Sequence, residues 1–102
     1  MPKAPKERSS TAAAAGEAMA VEGLAFLAAD ETRLERFLAV TGLGPHNLRR
    51  AAADPAFLVS VLDHLAGDER LLVAFAEESG RRPEEVMRAY ERLKGPPPEF
   101  WA

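Results

Sequence analysis

Apolar residues recur at helical spacing through most of the chain, and no stretch alternates apolar and polar positions in the manner of a strand. A first helix is predicted from an N-cap at Ser10 or Thr11 to about Ala29, with Val21, Leu24, Ala25 and Ala28 on its inner face. Asp30 caps a second, whose stripe is Leu34, Phe37, Leu38 and Thr41 and which Gly42 stops. Pro45 opens a short third with Leu48, Ala51 and Ala52 inward. Asp54 and Pro55 start a fourth, carrying Leu58, Val61, Leu62 and Leu65 and ending at Gly67. Asp68 caps a fifth with Leu72, Phe75 and Ala76, ended by Gly80. Pro83 opens a sixth with Val86, Ala89, Tyr90 and Leu93 inward, ended by Gly95. The fold class is all-α, six short amphipathic helices with short connections.

The pattern also repeats. Shifted by 38 positions, residues 16–51 meet residues 54–89 with 13 identities in 36 and no gap, turn and cap residues among them. Asp30-Glu31 falls on Asp68-Glu69, Phe37 on Phe75, Gly42 on Gly80 and Pro45 on Pro83. Two pseudo-symmetric three-helix units, residues 16–53 and 54–91, are therefore expected in one domain over residues 16–95. The second and third helices of each unit meet at a Gly-containing turn of helix-turn-helix type. Arg33, Glu35 and Arg36 of the second helix become Leu71, Val73 and Ala74 in the fifth, so the fifth is expected at the hub and the second at the edge.

Two terminal segments stand apart. Residues 1–15 hold Lys3, Lys6 and Arg8 against Glu7 and no large apolar residue after Met1, which predicts a disordered basic tail. Residues 96–102 open with three prolines and carry Phe100 and Trp101, which predicts an extended tail. Its aromatics are expected to fold back beside the sixth helix near Tyr90 and Leu93; the alternative makes Phe100 and Trp101 candidate partner-docking residues, on a partner or a second copy.

Charge and composition narrow the chemistry. The whole chain has 102 residues, a net charge of −3 and no cysteine. Thiolate catalysis, disulfides and cysteine-ligated zinc are excluded. The apolar run Gly23 to Ala29 is too short to span a bilayer, and Glu17 and Glu22 interrupt any signal-peptide core, so a cytoplasmic protein is expected. The first fifteen residues carry +2 and the remainder −5, a poor surface for polyanions. Arg49, Arg50 and Arg88 are the candidate nucleic-acid contacts if a third or sixth helix reads DNA. Against that, the sixth helix begins Pro83-Glu84-Glu85, carboxylates that suit a helix N-terminus better than a phosphate backbone. His46 and His64 sit in no triad or metal-ligand spacing, and Glu77-Glu78 and Glu84-Glu85 read as solvated positions. No enzyme, cofactor or metal site is predicted. The expected function is a protein–protein interaction module, binding a partner or a second copy. The alternative is a nucleic-acid-associated regulator built on tandem helix-turn-helix-like units.

One resemblance adds to this. The pieces Arg36-Phe37-Leu38, Thr41-Gly42-Leu43, Leu48-Arg49, Asp54-Pro55-Ala56-Phe57-Leu58, Val61-Leu62-Asp63-His64 and Phe75-Ala76-Glu77-Glu78, in that order and spacing, are similar to domain-of-unknown-function family 3572. The similarity covers roughly residues 17–93. It implies a small helical cytoplasmic protein of alphaproteobacteria and brings no activity or ligand.

Overall fold

A computed structural model describes the backbone of residues 4–95 and the side chains of residues 14–95. Among the described residues there are six α-helices and no strand: α1 (Ala4–Ala28), α2 (Glu31–Thr41), α3 (Leu48–Ala51), α4 (Pro55–Ala66), α5 (Glu69–Glu78) and α6 (Pro83–Lys94). A 3-10 turn, Pro45–Asn47, leads into α3. Phe100 and Trp101 lie outside the described residues.

Local chemistry fixes the boundaries. Asp30 accepts a hydrogen bond from the Arg33 N–H at 3.1 Å, Asp54 from Ala56 at 3.0 Å and Asp68 from Leu71 at 3.2 Å. Each supplies an acceptor for a helix N-terminus that lacks one. Gly42 and Gly80 take φ of 76° and 72°, a left-handed conformation that costs other residues strain and turns the chain out of α2 and α5. The Glu85 carboxylate accepts from the Arg82 N–H at 2.8 Å at the start of α6.

Three expectations are corrected. Helix α1 begins at Ala4, not at Ser10 or Thr11, so residues 4–15 of the predicted disordered tail are helical. Pro5 suits a first turn, and Lys6, Glu7, Arg8 and Ala12–Ala15 are strong helix formers, which an argument from burial alone overlooks. The inner face of α1 is also rotated. Ala20, Gly23, Phe26 and Leu27 are buried, whereas Val21 is 48% exposed and Ala25 and Ala28 face out.

The hub, thirdly, is α4. Phe57, Leu58, Val61, Leu62 and Leu65 are all buried there, and α4 packs against α1, α5 and α6. Helix α5 buries Leu72, Phe75 and Ala76 but leaves Val73 at the surface, and α2 buries only Phe37. Helix α2 does occupy the edge, as its one-sided sequence requires.

The two sequence units correspond locally, through their caps, their left-handed glycines and the pairing of α1 with α2 and of α4 with α5. Their third elements differ. Helix α6 packs on α1, α4 and α5, while α3 is a single turn without a comparable interface. At the 38-residue offset Tyr90 falls on Ala52 and Leu93 on Pro55, the residue that already begins α4. The first unit has no chain left to build a full third helix.

Gly23 lets α1 and α4 approach. A Cβ there would lie 2.8 Å from Leu65 Cδ1 and 3.4 Å from Val61 Cγ1, both on fully buried side chains. Gly23→Val is expected to lower stability by about 2–3 kcal/mol through overpacking. Gly23→Ala should cost less, because about 1 kcal/mol of helix propensity offsets the collision. Urea unfolding of the two variants checks the order; equal midpoints for Gly23→Val and the parent chain would mean that α1 and α4 are not in close contact.

Candidate functional site

An open groove of about 760 Å³ lies between α2, α3 and α4, with Val40 and Ala56 exposed along it and Phe37 and Phe57 buried beneath it. Its apolar lining includes Phe37 and Phe57, whose rings meet edge-on with centroids 5.8 Å apart. His64 closes one side, its ring 5.1 Å from that of Phe37 at an interplanar angle of 69°. Val40 also lines the groove and is 70% exposed, the most exposed of the large apolar residues described. It follows Phe37 by three positions, so both project to the same side of α2.

The polar part of the lining is acidic. Asp54, Asp63 and Asp68 contribute to it, and no lysine or arginine does. Two of these aspartates are the caps of α4 and α5. The third, Asp63, accepts a hydrogen bond from the Tyr90 hydroxyl at 2.5 Å and so ties α4 to α6. Burial holds the His64 imidazolium below its ordinary range; Arg36 acts in the same direction, while Asp68 and Asp63 oppose it. His64 is accordingly neutral at pH 7 and does not offset the carboxylates.

The bond to Asp63, with burial and the aspartate's charge behind it, pushes the Tyr90 phenol up to about 12 from an ordinary 10. Between those values the unfolded chain loses the phenolic proton and the folded chain keeps it, so stability falls as pH rises across that window. Tyr90→Phe is expected to remove this alkaline component and to cost about 1 kcal/mol near neutrality. Urea midpoints followed by circular dichroism from pH 9 to 12 measure both effects, and a Tyr90→Phe profile parallel to that of the parent would refute them.

A second polar link ties α1 to the far end of the chain's helices. Arg81 reaches Glu22 with two hydrogen bonds, of 2.6 and 3.3 Å, joining the α5–α6 turn to α1. Hydrogen bonding to Arg81 lowers the Glu22 carboxyl below its usual range and raises the guanidinium of Arg81. Both groups are substantially exposed, which limits the pair to about 1 kcal/mol or less.

The residues singled out from the sequence are dispersed. Arg49 and Arg50 are exposed on α3 and Arg88 is exposed on α6, elements that share no principal packing interface. His46 is exposed in the 3-10 turn, and no group of three or more histidines and carboxylates able to hold a metal is found among the described residues. Glu77 and Glu78 are exposed at the end of α5 and Glu84 at the start of α6. The groove itself is absent from the sequence reading. Its one sequence signal is Val40, an apolar residue at the margin of the inner stripe of α2, on the Phe37 side and close to that helix's end.

No helix among the described residues is long and apolar enough to cross a membrane. No curated protein and no solved structure matches the chain. A family model described as "Protein of unknown function (DUF3572)" matches residues 13–96, from the middle of α1 past the end of α6, and the chain belongs to that family.

Proposed function

We propose that the chain is a non-enzymatic protein–protein interaction module of the bacterial cytoplasm, docking its partner in the groove between α2, α3 and α4. The observation that carries this reading is the solvent-open apolar lining with Val40 70% exposed at its side. Isolated exposed apolar side chains are ordinary, but one continuous with an aromatic-lined concavity is the form that peptide and helix docking takes. In support of a non-enzymatic role, the polar groups of the groove have structural partners: its aspartates serve as caps or hold Tyr90, Thr41 and Ser60 donate to backbone carbonyls, and His64 packs against a phenylalanine.

A photo-crosslinking residue at Val40, compared with the same residue at Val73, tests the reading in cells. A discrete adduct from position 40 and none from position 73 is expected. Adducts of equal yield from both positions, or none from either, would overturn it. The nucleic-acid reading has Arg49 and Arg50 exposed on α3 in its favour and the acidic body against it. Salt-sensitive, sub-micromolar binding to duplex DNA would promote it.

A further inference from the structure

We infer that the groove takes a basic amphipathic helix of another protein. This rests on the docking function proposed above and names the occupant. The first argument is charge. The lining holds Asp54, Asp63 and Asp68, no lysine or arginine, and a histidine that is neutral at pH 7. Each aspartate is fixed by one hydrogen bond at Oδ1, to the Ala56 N–H, the Tyr90 hydroxyl and the Leu71 N–H respectively. Their Oδ2 atoms have no intramolecular partner among the described residues. These three carboxylates border a groove whose floor is apolar, and the complementary ligand carries cations beside an apolar face. Arg36 is the nearby cation that such a ligand must pass; it is exposed on α2 and outside the lining.

The second argument is shape. The walls are helices, and no strand edge exists among the described residues to which an extended peptide could add, so apolar side chains at helical spacing are the fitting anchors. The chain's own segments match only in part. Residues 1–15 are basic but offer no large apolar side chain after Met1 to fill the floor. Residues 96–102 offer Phe100 and Trp101, but with Glu99 and no cation. Neither segment supplies both halves of the complement.

The test uses the full chain and two labelled four-turn amphipathic peptides. Both have leucine on one face, with lysine on the other face in one peptide and glutamate in the second. Anisotropy titrations are expected to show the lysine peptide binding at least about tenfold tighter. Val40→Lys and the triple variant Asp54→Asn, Asp63→Asn, Asp68→Asn should each weaken it about tenfold, the sum of several modest surface pairs in the triple variant's case. Asparagine keeps the caps and the acceptor for Tyr90, so the triple variant should melt close to the parent, which a thermal scan verifies. Equal affinity for the two peptides with the Val40→Lys effect retained would overturn the basic occupant and leave the docking groove standing. No effect of Val40→Lys would overturn both. A dimer that Val40→Lys dissolves would name a second copy instead. Binding strengthened about tenfold by deleting residues 96–102 would name the chain's own tail. Either result refutes the inference.

Discussion

Phe75→Ala is expected to destabilise the folded chain by about 3–5 kcal/mol, a large part of the total stability of a domain this size. Phe75 is 2% exposed and its ring lies 5.4 Å from that of Phe26, at the contact of α5 with α1. The neighbouring backbone has little means of closing over the loss. Gly23 has no side chain to move into the space, and Leu65 and Val61 are already fully buried against it. The consequence is a global fall in stability, seen as a drop in melting temperature of about 12 °C or more. Val73→Ala on the same helix is the control. Val73 is 37% exposed, and its truncation should cost less than about 1 kcal/mol. Similar losses for the two variants would mean that α5 does not anchor on α1 through Phe75.

The parts of this fold that were legible in the sequence are those decided within a few residues. Asp30, Asp54 and Asp68 cap helices, and Gly42 and Gly80 end them, because each acts on backbone groups in its own turn. The inward stripe of α4 was equally plain, since four aliphatic residues at helical spacing admit one orientation. The face of α1 was not. An alanine-rich helix has small apolar groups on every side, so Val21 looks as eligible as Leu27, and only the partner helices decide. The glycine at position 23, which weakens a helix taken alone, is buried because α4 comes close there. The misplaced hub has a similar origin. Comparing α2 with α5 across the repeat shows which of the two is more apolar, but it says nothing of α4, the first helix of the second unit. The groove was illegible for a further reason. Its lining comes from three helices, and the bond that orients Asp63 reaches to Tyr90, 27 residues along the chain. Asp54 and Asp68 are each fully explained as local caps, so only their common position with Asp63 beside Phe37 and Val40 reveals an acidic rim.

Phe37→Ala is expected to act as strongly as Phe75→Ala at its own contact, about 3–5 kcal/mol, but to act locally. Phe37 is fully buried and is the only buried residue of α2. It meets Phe57 and His64 of α4, while Leu34, Leu38 and Thr41 are only half-buried. Helix α2 also packs on α1, where Arg33 lies 4.4 Å from the centre of the Phe26 ring, a contact worth about 1 kcal/mol at a partly exposed position. Helices α1, α4 and α6 pack on one another without α2, so they have a core that survives its release. Native-state hydrogen exchange separates the two cases. In Phe37→Ala the amides of α2 should lose protection while those of α4 and α6 keep most of theirs; in Phe75→Ala all helices should lose it together. The groove should fail with α2, since the Phe37 ring is gone and Val40 leaves with that helix, so binding of the lysine peptide would be lost from a chain that is still largely folded. A uniform loss of protection in Phe37→Ala would show that α2 belongs to the same cooperative unit as α4, and that the edge of this fold is as essential to its stability as its hub.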